Sequence, residues 1–377
     1  MTVDGLYSIS DFLGDLIVYR NLEPVNPSLP RLSESIAALG LPPGQIPRKL
    51  ESDYALVVAH ISRQAAALQG RGPIARVLAV GDTRLNDGTA FANLRSVTGW
   101  EGAAVICTEK PAAPPVLEEV ECGLFVANRW GLLADFHQSL AGRGLEPGED
   151  TLAVIDLDKT AIGARGRNDH VIDEARVAGV RSTATDLLGS QYDEPRFLTA
   201  YQHLNQPEYH SFTADNQDYL VYICLVIGTG LRSLDDVVRA VHEGSLRTFA
   251  QFIEWVDDHR SLLSGTPLAQ VHDSVYCRFR AGDPTPFKEF RYQEYRATIA
   301  RMGHLTGTPS AHDALRSEIV LTREVTELIT LWKASGALVI GVSDKPDEAA
   351  LPTTQAAEEG LPALHEAPTH RVGVSIS

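Results

Sequence analysis

Three apolar runs in this chain end in polar residues that can do chemistry. They are VIDLDKT, with Asp156, Asp158 and Thr160; VIGVSDK, with Ser343; and LAVGDTRLND, with Asp82, Asn86 and Asp87. Carboxylates can attack an electrophile, pass a proton, or supply the oxygen ligands that a hard cation prefers. A strand ending in Asp occurs in many folds, so the conjunction of three carries the information. Parallel α/β sheets bind ligands at the carboxyl ends of their strands, and three such tips could converge on one crevice.

The elements that must position these tips can be read from periodicity. ARVLAVGD, Ala103–Cys107, GLFVAN from Gly123, TLAVIDLD (Thr151–Asp158) and ALVIGVSD are short apolar runs of the kind that form buried strands. Helical spacing fills Ser33–Gly70, broken by the loop LPPGQIPRK, with Ser52 as the expected cap of a helix over Ser52–Leu68. Trp130–Gly144 also reads as helix, and Glu109–Val116 is a Pro-rich connector. From about Val171 to Leu331 helical periodicity dominates, and Ser233 is the expected cap of a helix beginning at Leu234. TREVTELITLWKA is a further amphipathic helix, ended by Gly336, and RVGVSIS reads as a last strand.

VIDLDKT resembles motif I of the haloacid dehalogenase (HAD) superfamily, an apolar strand followed by Asp-x-Asp-x-Thr. ALVIGVS is similar to its motif II, a strand ending in Ser or Thr, and LAVGDTRLND to its motif IV, a strand ending in Gly-Asp with a second Asp close by. Motif III is a Lys or Arg near the start of the helix before motif IV; Lys49 fits, with Arg48 as a competitor. The superfamily runs I, II, III, IV, whereas this chain runs III, IV, I, II, and no further Gly-Asp follows Ser343. Circular permutation is the simplest account, because domain termini usually lie at the surface and often close together. The other open account is that GDTRLND matches by chance.

This resemblance implies an α/β fold: a Rossmann-like parallel sheet, circularly permuted, with an inserted mainly helical cap. Residues 1–164 and 326–377 would form the core and residues 165–325 the cap. An independent helical domain without catalytic duty is the other reading of that block. The implied reaction is Mg²⁺-dependent hydrolysis of a small phosphomonoester through an aspartyl-phosphate. Asp156 would be the nucleophile, Asp158 the general acid and then base, Ser343 a hydrogen-bond partner of the phosphoryl group, and Lys49 a charge clamp. Asp156 and Asp82 would ligate Mg²⁺ through their side chains and Asp158 through its carbonyl, with Asp87 in support; which of Asp82 and Asp87 binds directly is open. Thr160, Arg165, Arg167 and Asn168 are candidate substrate contacts, a solvated loop being the alternative for the last three. Two departures stand out: Lys159 occupies a position where many members carry Gly, and the Asp82–Asp87 gap is one of several spacings in use. A phosphomutase or phosphotransferase would share every motif, and a non-catalytic binding protein could keep the fold, although the Asp156/Asp158 pair argues against the last.

Composition narrows the partners. The 377 residues carry a net charge of −16, with 44% hydrophobic and 22% charged residues. Such proportions are those of a globular chain, and no basic face for nucleic acid is evident. The four cysteines, Cys107, Cys122, Cys224 and Cys277, show no zinc or disulfide spacing and are expected to be reduced. No leader is apparent, and the longest apolar stretch, Tyr219–Gly230, is too short for a bilayer span of about 20 residues. A cytoplasmic protein with a small phosphorylated substrate, and with neither nucleic acid nor membrane as partner, is the expectation. Lys288 and Arg291 could meet an anionic substrate, but a salt-bridged helix face is the simpler reading.

Overall fold

All five apolar runs form strands of one sheet. In chain order the strands are β1 Thr2–Tyr7, β2 Ile17–Val18, β3 Arg76–Gly81, β4 Glu101–Cys107 and β5 Leu117–Glu121, followed by β6 Leu124–Ala127, β7 Thr151–Asp156, β8 Leu321–Thr322, β9 Leu338–Val342 and β10 Thr369–Gly373. They were located in a computed structural model that describes residues 1–189 and 193–376. The large sheet has seven strands in the order β2-β9-β7-β3-β4-β6-β5, parallel throughout except for the β5–β6 pair. The protein is therefore α/β with a mostly parallel sheet. A second sheet, β1-β10-β8, includes the expected last strand, which begins at Thr369, two residues before RVGVSIS.

Burial on both faces explains why the central strands read as unbroken apolar runs. Tyr54, Val57, Val58 and Ile61 of the helix Ser52–Leu68, with Phe91 and Leu94 of Thr89–Thr98, cover Val77, Ala104, Leu152 and Ile340. By the two-residue strand period Ala153, Ile155 and Val339 face the other way. There the helices Leu133–Ala141 and Arg323–Ala334 bury Phe136, Leu140, Leu328 and Trp332. Ser52 is the first residue of its helix, not its cap; Glu51 takes the cap position without a side-chain bond. Ser233 does cap its helix, accepting from the amide of Asp236.

By internal contacts the described residues form two compact units, Met1–Ala175 with Thr298–Ser377, and Arg176–Ala297. Residues 165–175 and 298–325, which sequence pattern groups with the helical insertion, belong to the sheet-bearing unit. Within the helical unit, the helix Gln217–Gly228 is buried on nearly every side, which accounts for the apolar stretch at Tyr219–Gly230. Arg291 is also buried, donating to Asp218 (2.7 Å) and Glu294 (2.7 Å), and Lys288 pairs with Asp283 (2.9 Å). Both are thus salt-bridged. All four cysteines are free, and among the described residues no helix is long and apolar enough to cross a membrane.

Candidate functional site

Pairing in the sheet, not order in the chain, decides which strand tips are neighbours. β7 lies between β3 and β9, with Val80 opposite Ile155 and Asp156 opposite Val342. Asp156 therefore ends the middle strand, Asp82 follows β3 and Ser343 follows β9. Asp82, Asp87 and Asp156 each offer a carboxylate oxygen, all within 4.8 Å of one another.

Asp87 reaches this position through a single π turn, Arg84–Gly88, a feature that often marks functional sites. Its Oδ2 accepts from the amides of Asp82 (3.1 Å) and Thr83 (2.9 Å) and from the Thr83 hydroxyl (3.1 Å). Gly81 permits this approach: a Cβ there would lie 2.4 Å from that of Asp87. Lys49 donates from Nζ to Asp156 Oδ1 (2.7 Å) and Asp87 Oδ1 (2.9 Å), whereas Arg48 is exposed. Of the two candidate cations, Lys49 is the one at the site. Thr160 donates to Asp156 Oδ2 (2.7 Å), so each oxygen of Asp156 has a protein donor. Lys159 adopts φ +62°, the left-handed region that glycine enters most readily. Its Nζ is tied to Asp173 at 2.8 Å.

Charge at the site is unbalanced. Three buried or part-buried carboxylates share Lys49 and Arg165, whose Nε donates to Asp82 Oδ2. Burial, then the Asp87 charge, push Asp82 up to about 7, with Arg165 pulling the other way. Asp156 is raised by burial against the opposing pull of Lys49. Burial would also raise Asp87, but Lys49 beside it leaves it lowered. Lys49 itself, which burial would deprotonate, is held charged by Asp156, Asp87 and Asp344. A divalent cation among the three carboxylates would relieve this excess. The donors are all oxygen, the chemistry of hard cations and not of thiolate or imidazole sites.

The remaining candidates divide. Ser343 is buried, and its Oγ accepts from the Lys345 amide (3.1 Å). Asp158 lies 3.7 Å from Lys345 Nζ. Arg165 reaches the triad. Arg167 and Asn168 do not: Arg167 is buried between Glu109 (2.7 Å) and Glu324 (2.9 Å), and Asn168 binds the carbonyls of Leu315 and Glu318 and the amide of Val320. These two fasten the segment after β7 to the fold instead of standing in a solvated loop.

Sequence reasoning passed over Tyr54, Asp344 and Lys345. Asp344, 3.8 Å from Lys49, and buried Lys345 directly follow Ser343, a position that could have flagged them. Tyr54 lines a mostly apolar cavity of about 30 Å³ with Lys49, Asp87 and Asp156. That space admits a water or two. The chain matches no protein-family model, no curated protein and no solved structure.

Proposed function

We propose that this protein is a Mg²⁺-dependent phosphohydrolase of the haloacid dehalogenase type with permuted motif order, acting on a small phosphomonoester. One observation carries the reading: Asp156 meets Asp82 and Asp87, which lie far from it in the chain and precede it in the order opposite to the superfamily's, within 4.8 Å, and Lys49 bridges Asp156 and Asp87. A chance GDTRLND match would have no reason to fall there.

Asp156 is the nucleophile. Thr160 and Lys49 fix its two oxygens, and the charge of Lys49 favours the carboxylate form that attacks phosphorus. The bond from phosphorus to the leaving oxygen breaks as Asp158 gives that oxygen its proton. Asp158 then takes a proton from the water that attacks phosphorus, releasing phosphate and the free Asp156 carboxylate. The Ser343 hydroxyl donates to a phosphoryl oxygen, and Lys49 offsets charge between phosphate and nucleophile. The triad would hold Mg²⁺, which when bound neutralises charge on the phosphoryl oxygens. The unit 176–297 enters after the Asp156 strand and returns before Ser343, where the resemblance puts a cap, and specificity is assigned to it. Turnover of p-nitrophenyl phosphate with and without Mg²⁺ tests the reading. Mg²⁺-dependent release of nitrophenol supports it; none, or release indifferent to Mg²⁺ and chelator, refutes it.

A further inference from the structure

Among the described residues, Arg165 is the one cation paired with the triad that is not buried: its side chain is 33% exposed, against 4% for Lys49. Its backbone is held on both sides. The amide donates to the Lys159 carbonyl (2.8 Å), and the carbonyl accepts from the Glu109 amide (2.9 Å) and the Trp130 indole (3.2 Å). Gly166, at φ +75°, passes so close to Glu109 that a Cβ would lie 2.2 Å from its carbonyl oxygen. The Arg165 side chain, by contrast, is a third exposed and tied at one nitrogen. It donates to Asp82 through Nε, and among the described residues its two Nη groups have no hydrogen-bond partner.

That arrangement has a consequence when a metal arrives. A divalent cation held by the triad would stand close to the guanidinium that binds Asp82, where like charges repel strongly in a part-buried site. With the cation in place the three carboxylates no longer need a second counter-charge. The nearest other acids are already engaged, Asp173 by Lys159 and Asp169 by the Gly166 amide. A freed guanidinium presents a planar fork of donors, the geometry that binds phosphate in two-point fashion.

We propose that Arg165 is a displaceable counter-cation: it pairs with Asp82, and metal binding to the triad releases its guanidinium to bind the phosphoryl group. Metal and phosphate binding are then coupled through one side chain. The inference rests on the triad being a metal site of a phosphohydrolase. Isothermal titration with Mn²⁺, followed by titration of inorganic phosphate into Mn²⁺-saturated protein, tests it in wild type, Arg165→Met and Arg165→Lys. Arg165→Met should bind Mn²⁺ at least tenfold more tightly than wild type and phosphate at least tenfold more weakly. Arg165→Lys, which keeps the charge without the fork, should retain the wild-type Mn²⁺ affinity and lose part of the phosphate affinity. Effects of opposite sign would not come from a merely structural salt bridge. Unchanged Mn²⁺ affinity in Arg165→Met, or weakening toward both ligands, overturns the proposal while leaving the metal site standing. Failure of wild type to bind Mn²⁺ at all overturns both.

Discussion

Lys49 is shared by two of the three carboxylates, donating to Asp156 and Asp87 and opposing the rise that burial imposes on Asp156. If Asp156 is the nucleophile, Asp156→Asn should keep the fold and reduce p-nitrophenyl phosphate turnover roughly a thousandfold or more. A loss within about tenfold would remove that role from it. A second residue-scale prediction concerns Asp347, pushed up to about 7 by burial first, against a hydrogen bond from the Asn21 amide, with Glu348 and Glu23 adding their charge. Its folded value lies above its unfolded one, so the native state binds the extra proton. The stability it contributes is fully present below about pH 4 and is lost as pH rises through 7. Urea unfolding at pH 5 and pH 8 should show wild type losing roughly 2–4 kcal/mol relative to Asp347→Asn over that interval, and parallel behaviour would contradict the assignment. The four residues at the heart of the site, Lys49, Asp82, Asp87 and Asp156, were legible in the sequence because each lies near a strand end or a helix start. Tyr54 was not, because which way such a side chain points is decided by packing. Arg167 and Asn168 were misplaced for the same reason.

Elements follow the same division. Central strands announce themselves, since burial on both faces leaves no room for polar alternation. Strands at the edges do not: β2 and β8 have two residues each, and β5 reads LEEVE with every residue exposed or half-buried. The π turn after β3 has no compositional signature, yet it carries Asp87. Gly81 is the part of that device visible in the sequence, as the Gly of Gly-Asp. Gly81→Ala would push a methyl into Asp87, and the π turn must then move. We expect Mn²⁺ affinity to fall at least tenfold, with a stability loss of about 1–3 kcal/mol. Calorimetric titration of the folded variant checks this, and wild-type affinity would mean that Asp87 does not serve the metal.

At the scale of the molecule, a helical block between the second and third motif strands in chain order was evident from periodicity, but its limits were not. The helix Asp169–Leu188 runs from one unit into the other without a break in composition, so no boundary signal exists near residue 175. The polar tips of β3, β7 and β9 were readable because each is short and local in the sequence. The proposed cap role has a test at this scale. Replacing residues 176–297 with a short Gly/Ser linker should spare Mn²⁺ binding and slow p-nitrophenyl phosphate hydrolysis. Discrimination among natural phosphomonoesters should disappear. Full retention of substrate preference would make the helical unit a structural appendage, and loss of Mn²⁺ binding would make it part of the core.

The covalent role of Asp156 is the central claim, and borohydride tests it most directly, because it reduces an acyl phosphate but not a free carboxylate. Protein quenched with borohydride during turnover in Mg²⁺ should carry homoserine at position 156, read by peptide mass spectrometry, and only when both substrate and Mg²⁺ were present. Sustained turnover with Asp156 unmodified, or reduction at Asp82 or Asp87 instead, would contradict it.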